Sequence, residues 1–83
     1  QIRFRQVQVI MKILLKIKEL YSQHRVTDID GIKIDFDAAK KWVHLRKSNT
    51  EPIIRIYAEA AEEEIASALA KEIILAINEI IEL

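Results

Sequence analysis

The chain has 83 residues, 51% of them hydrophobic and 31% charged, a length that supports one small core and excludes a second domain within it. It contains no cysteine, which excludes disulfides and thiolate metal sites. The formal net charge is zero, but residues 1–60 carry 12 Lys and Arg against 7 Asp and Glu while residues 61–83 carry 1 against 6, so an anionic ligand would meet a basic body with an acidic final helix.

Residues 2–6 alternate apolar and polar, which predicts a half-buried strand with Ile2 and Phe4 inward. A helix should follow, because Ile10, Ile13, Leu14, Ile17, Leu20 and Tyr21 recur at helical spacing while Lys12, Lys16, Lys18 and Glu19 form a wet face. His24 and Arg25 suit the negative end of its dipole and mark the expected stop. From Val26 the pattern turns to strands: a short one over residues 26–30, a turn at Gly31, then Ile32, Ile34 and Phe36 alternating with Lys33 and Asp35. Residues 37–41 read as a connecting loop. Residues 42–46 give the next strand, with Val43 and Leu45 on one face and Trp42, His44 and Arg46 on the other. Beyond a polar loop, Ile54, Ile56 and Ala58 should face inward and Arg55, Tyr57 and Glu59 outward. Alternation thus places Arg46 and Arg55 on one open sheet face.

Glu62, Glu63 and Glu64 suit the positive end of a last helix, whose expected core stripe is Ile65, Leu69, Ile73, Ala76, Ile77 and Ile80. Ile74, Leu75 and Ile81 widen that stripe. Either a slightly rotated helix buries them or they offer a contact for a weak homo-oligomer. The apolar runs are short and interrupted by Lys or Glu, so neither a membrane span nor a signal peptide is expected, and the expected location is cytoplasmic.

The polar loop within residues 46–55 carries the functional signal. Ser48, Asn49 and Thr50 tolerate tight turns and hydrogen-bond backbone or an oxyanion, and Pro52 ends the turn and starts an extended segment. Successive N–H groups in such a turn can converge on one anion, while Arg46 presents a planar fork to two phosphate oxygens. The expected role is a phosphate cradle made of Arg46, Ser48, Asn49, Thr50 and Arg55, supported by Lys47 and Glu51. A carboxylate beside a phosphate repels it, so Glu51 is expected to orient Arg46 or Arg55, or to bond loop amides.

Residues 42–60, WVHLRKSNTEPIIRIYAEA, resemble the phosphate-binding signature of the last domain of the α-D-phosphohexomutases, the family of phosphoglucomutase and phosphomannomutase. The pattern, R-x-S-(N or G)-T-E-P-x-x-R and then a strand ending in Glu-Ala, is met by Arg46, Ser48, Asn49, Thr50, Glu51, Pro52, Arg55, Glu59 and Ala60. Residues 28–36, DIDGIKIDF, resemble the family as well; Lys47 departs from it, standing where many members have proline. The resemblance implies an α+β fold of TATA-binding-protein-like β-α-β(4)-α order, a mainly antiparallel sheet with two helices on one face. It also implies that the loop grips the phosphate of a hexose phosphate. The phosphoserine, magnesium and sugar-selecting loops of the family have no counterpart here. The chain alone is therefore expected to have no catalytic residue, metal ligand or cofactor, to be a fragment or processed form of an isomerase whose other domains bind Mg2+, and to have those domains as partners.

Other readings are weaker. Ser48 with His44 as base lacks an orienting acid and an oxyanion hole, and the histidines lack metal-ligand spacing. The open face, with Arg3, Arg5, Lys33, Trp42, His44, Arg46, Arg55 and Tyr57, resembles surfaces that stack single-stranded nucleic acid, but the zero net charge and acidic last helix oppose that. The Ile-rich, strongly patterned helices and scarce glycine and proline also fit an engineered domain on the same framework.

Overall fold

The period-2 runs in the middle of the chain become one antiparallel sheet, and the two helical runs cover it. The computed structural model describes residues 2–4, 7–48 and 50–82. In chain order the elements are β1 (Ile2–Arg3), α1 (Val7–Leu20), β2 (Arg25–Thr27), β3 (Ile32–Phe36), β4 (Lys41–Lys47), β5 (Ile53–Glu59) and α2 (Glu63–Glu82). The strands lie in the order β1-β5-β4-β3-β2, and each adjacent pair is antiparallel. This is an α+β domain of two helices and a five-stranded sheet. Arg5 and Gln6, the end of the expected first strand, lie outside the described residues.

One apolar cluster joins Ile32, Ile34 and Phe36 of β3, Val43 and Leu45 of β4 and Ile54 of β5 to Ile10, Ile13, Leu14 and Ile17 of α1 and Leu69, Ile73 and Ile77 of α2. The sheet members are alternate residues of their strands, so both helices cover one face, and the other face is left open. Each fully buried Ile or Leu contributes about 1.5–3 kcal/mol, so this cluster accounts for the fold. Phe4 extends the cluster past β1, and Ile56 and Ala58 border it.

The helix ends differ from the sequence reading. Leu20 is 54% exposed and Ile65 is 41% exposed. Leu20 is the last residue of α1 and Ile65 lies in the first turn of α2, one turn before Leu69, the first buried position of that helix. Ile74 is half-buried, whereas Leu75 is 63% and Ile81 50% exposed, so rotation of α2 covers only one of the three. His24 and Arg25 do not close α1. The chain leaves the helix by bonding Tyr21 N–H to the Ile17 carbonyl and His24 N–H to the Tyr21 carbonyl. Arg25 then starts β2 and grips both carboxylate oxygens of Asp37, at 2.8 and 3.2 Å, which holds the Asp37 carboxyl below its usual range. β2 ends at Thr27 rather than running to residue 30, because Asp28 turns back to the Lys18 ammonium at 2.7 Å. No helix among the described residues is long and apolar enough to cross a membrane.

Candidate functional site

The register of β4 on β5 sets Arg46 directly against Arg55 and His44 against Tyr57. Both arginines are exposed, on the face away from the helices. Like charges directly opposite in a ladder repel, and Asp30 compensates one of them: Arg46 Nη2 forms an ion pair with Asp30 Oδ2 at 3.0 Å. Among the described residues Arg55 has no ion pair.

The loop from β4 to β5 is closed by its own groups. Ser48 N–H donates to the Ile53 carbonyl at 3.2 Å and Ile53 N–H to the Glu51 carbonyl at 2.8 Å. The N–H groups of Thr50 and Glu51 both donate to Ser48 Oγ at 3.3 Å. Two of the amides of the expected nest, those of Thr50 and Glu51, are thus taken by the Ser48 oxygen, because a hydroxyl two or three residues back in a tight turn reaches them first. With its oxygen accepting two N–H groups, the Ser48 hydroxyl has its own proton left to donate, to Thr50 Oγ1 at 3.5 Å or to a ligand.

Glu51 does not orient Arg46 or Arg55. Its carboxylate pairs with Arg3 at 2.7 Å, since the β1–β5 register sets Arg3 opposite Ile53, beside the loop. Phe4 N–H donates to the Pro52 carbonyl at 2.6 Å. The chain's N-terminal strand therefore tethers the loop from one side. Asn49, also expected in the cradle, lies outside the described residues.

Arg46, Lys47, Ser48, Arg55 and Tyr57 line a polar cavity of about 120 Å³. That is the room of about four waters at roughly 30 Å³ each, enough for an oxyanion but well short of pockets that enclose a whole small molecule. The structure thus gathers Arg46, Lys47, Ser48 and Arg55 and places Thr50 beside Ser48.

A Ser48–His44 dyad does not form, because His44 Nε2–H donates to the Asp30 carbonyl at 2.8 Å. Trp42 is half-buried, with the Lys33 ammonium 4.8 Å from its ring centre. Among the described residues no group of three or more His, Asp or Glu is placed to hold a metal ion.

Two neighbours of the loop residues escape sequence reasoning, Asp30 on Arg46 and Arg3 on Glu51. The Asp30-Gly31 dipeptide signals a turn, but nothing local says which strand the turn lies against. Arg3 and Glu51 are 48 residues apart and meet only through the sheet order.

The profile of the family described as phosphoglucomutase/phosphomannomutase, C-terminal domain, matches residues 5–76. The chain is 46% identical over 70 residues to a phosphoglucosamine/phosphogalactosamine mutase of Sulfurisphaera tokodaii, a match covering 78% of this chain and 14% of that protein. It is 43% identical over 65 residues to a probable phosphoglucosamine mutase of Pyrococcus horikoshii, covering 74% of this chain and 14% of that protein. With a phosphoglucomutase/phosphomannomutase of Thermococcus kodakarensis it shares 46% identity over 54 residues, 63% of this chain and 11% of the relative. The chain spans about 14% of the length of the first two of these curated relatives. With the profile running through α1, all of β2–β5 and α2 as far as residue 76, the chain belongs to the family of phosphoglucomutase/phosphomannomutase C-terminal domains.

Proposed function

We propose that this chain is the substrate-phosphate-binding domain of a phosphoglucomutase/phosphomannomutase-type enzyme, with Arg46, Ser48, Asn49, Thr50 and Arg55 as phosphate contacts and Lys47 and Glu51 in support. The observation that carries this reading is the cross-strand pairing of Arg46 with Arg55, both lining a cavity that Ser48 and Lys47 also line. A phosphate dianion between the two guanidiniums relieves their repulsion and accepts charge-assisted hydrogen bonds from both. The names of the relatives, a phosphoglucosamine/phosphogalactosamine mutase and a phosphoglucomutase/phosphomannomutase, support a hexose or hexosamine phosphate as the ligand. The cavity takes its phosphate end, and recognition of the sugar and the magnesium and phosphoserine chemistry fall to the other domains of the parent mutase.

The test is an amide chemical-shift titration of the chain with glucose 6-phosphate, beside Arg46→Ala. The expected result is shifts confined to residues 46–51 and Arg55, a dissociation constant near or above about 1 mM for so open a site, and loss of binding in the variant. Binding should also weaken with salt and as pH falls through the phosphate pKa of about 6. Shifts spread over Arg3, Lys33, Trp42 and Tyr57, and stronger with a short single-stranded oligonucleotide, would reject the phosphate reading.

A further inference from the structure

Asp30 is the one carboxylate within ion-pair distance of Arg46 among the described residues, and it is held there by backbone geometry rather than by a free side chain. Its carbonyl accepts the His44 Nε2–H at 2.8 Å, and it sits in the left-handed region at φ 56, followed by Gly31 at φ 98. Gly31 lies so close to β4 that a Cβ there would overlap the Leu45 carbonyl oxygen. The turn is thus fixed against three consecutive residues of β4, His44, Leu45 and Arg46, while Asp28 at its other end is tied to α1 by Lys18 at 2.7 Å. An exposed ion pair adds little to stability. A carboxylate fixed from its backbone against one of two facing arginines acts mainly on whatever anion those arginines bind.

We propose that Asp30 is an internal counter-ion of Arg46 whose charge opposes the substrate phosphate and so sets the affinity of the site. The proposal rests on the phosphate-binding reading above. In the empty site Asp30 neutralises Arg46 and allows it to stand beside Arg55. Arg46 has five N–H donors, and its ion pair with Asp30 is made at Nη2. A phosphate therefore binds the remaining edge of the guanidinium with the carboxylate still in place, and the two anions repel across a distance shorter than the Debye length of about 8–10 Å. Removing the Asp30 charge should tighten phosphate binding about two- to fivefold, a field effect of the size expected for exposed charges in water.

Asp30→Asn tests this with the fold kept, because Asn tolerates the left-handed region as well as Asp and leaves the backbone carbonyl for His44. Glucose 6-phosphate is titrated into the parent chain and Asp30→Asn at low salt and again at about 1 M salt, where the Debye length is about 3 Å, with glucose as the uncharged probe. The expected result is binding about two- to fivefold tighter in Asp30→Asn at low salt, a gain that disappears at high salt, and no response of either protein to glucose. A merely structural role of the turn would not be removed by salt. Equal or weaker binding by Asp30→Asn, with the parent's shifts still confined to the loop, overturns the Asp30 proposal and leaves the phosphate reading standing. Absence of loop shifts in both proteins overturns the phosphate reading, and the counter-ion role with it.

Discussion

Arg46 and Arg55 face each other across the β4–β5 ladder with unequal compensation, Asp30 on the first and no ion pair on the second among the described residues. In the proposed role the uncompensated charge serves the ligand and costs the fold. Arg55→Gln keeps most of the side-chain stem and removes the charge, so it should leave stability unchanged or raise it by up to about 0.5 kcal/mol. The same variant should bind glucose 6-phosphate several-fold more weakly. Urea unfolding checks the first outcome and the chemical-shift titration the second. A variant that loses stability by more than about 1 kcal/mol would show that Arg55 has a structural task instead.

Gly31 is the hinge on which the Asp30 turn meets β4. An alanine there is disfavoured twice, by φ 98 and by the overlap of its Cβ with the Leu45 carbonyl, which is backbone and cannot swing aside. Gly31→Ala should destabilise the chain by about 2–4 kcal/mol. It should also shift the amides of residues 44–46, because relief of the overlap moves the turn off β4. Urea unfolding and an amide spectrum measure both.

How far the sequence carries depends on the range of each interaction. Alternation placed Val43, Leu45 and Ile54 in the core, and Arg46 and Arg55 on the open face, because period and burial are written into successive residues. The spacing of Ser48, Thr50, Pro52 and Arg55 located the loop for the same reason. What was not legible depends on sheet order and on helix length. Glu51 went to Arg3 because β1 lies beside β5. Leu20 and Ile65 fit the helical period and are still exposed, since a periodicity does not tell where a helix passes the edge of what it packs on. The amide nest was read from residue types, but whether its N–H groups are free depends on the rotamer of Ser48.

Tyr21 joins the end of α1 to α2. Its hydroxyl donates to Glu72 Oε2 at 2.9 Å, and its ring meets Phe36 edge-on at 5.9 Å. Burial, with the hydrogen bond to Glu72 and the charge of that carboxylate, pushes the Tyr21 pKa up from 10.0 to about 12. Below pH 10 the folded and unfolded chains both keep the proton and the stabilisation is complete. As pH rises from 10 through about 12 the unfolded chain loses its proton first, so stability falls. Two pKa units correspond to about 2.7 kcal/mol, and solvent screening at this partly exposed site reduces that to about 1 kcal/mol. Tyr21→Phe keeps the ring packing and should cost about 0.5–1.5 kcal/mol at neutral pH. It should also flatten this part of the alkaline loss, as followed by urea unfolding between pH 9 and about 12.

The chain by itself is expected not to interconvert glucose 1-phosphate and glucose 6-phosphate. Phosphoryl transfer requires a group that accepts and returns the phosphoryl and a charge clamp around it in flight. The groups nearest the cavity are already engaged otherwise. The Ser48 oxygen accepts the N–H groups of Thr50 and Glu51, which lowers its nucleophilicity. His44, the nearest base in sequence, donates Nε2–H to the Asp30 carbonyl and is held away from Ser48. Arg46 and Arg55 can bind and orient a phosphate, and neither can accept it. In the parent enzyme these residues are expected to contribute through positioning, so Arg46→Ala there should raise KM and lower kcat together. A coupled assay on the purified chain should give no turnover above the buffer rate. Measurable interconversion that is lost on Ser48→Ala would mean that the hydroxyl leaves its two amides and acts as a nucleophile, and the binding-only role would then be wrong.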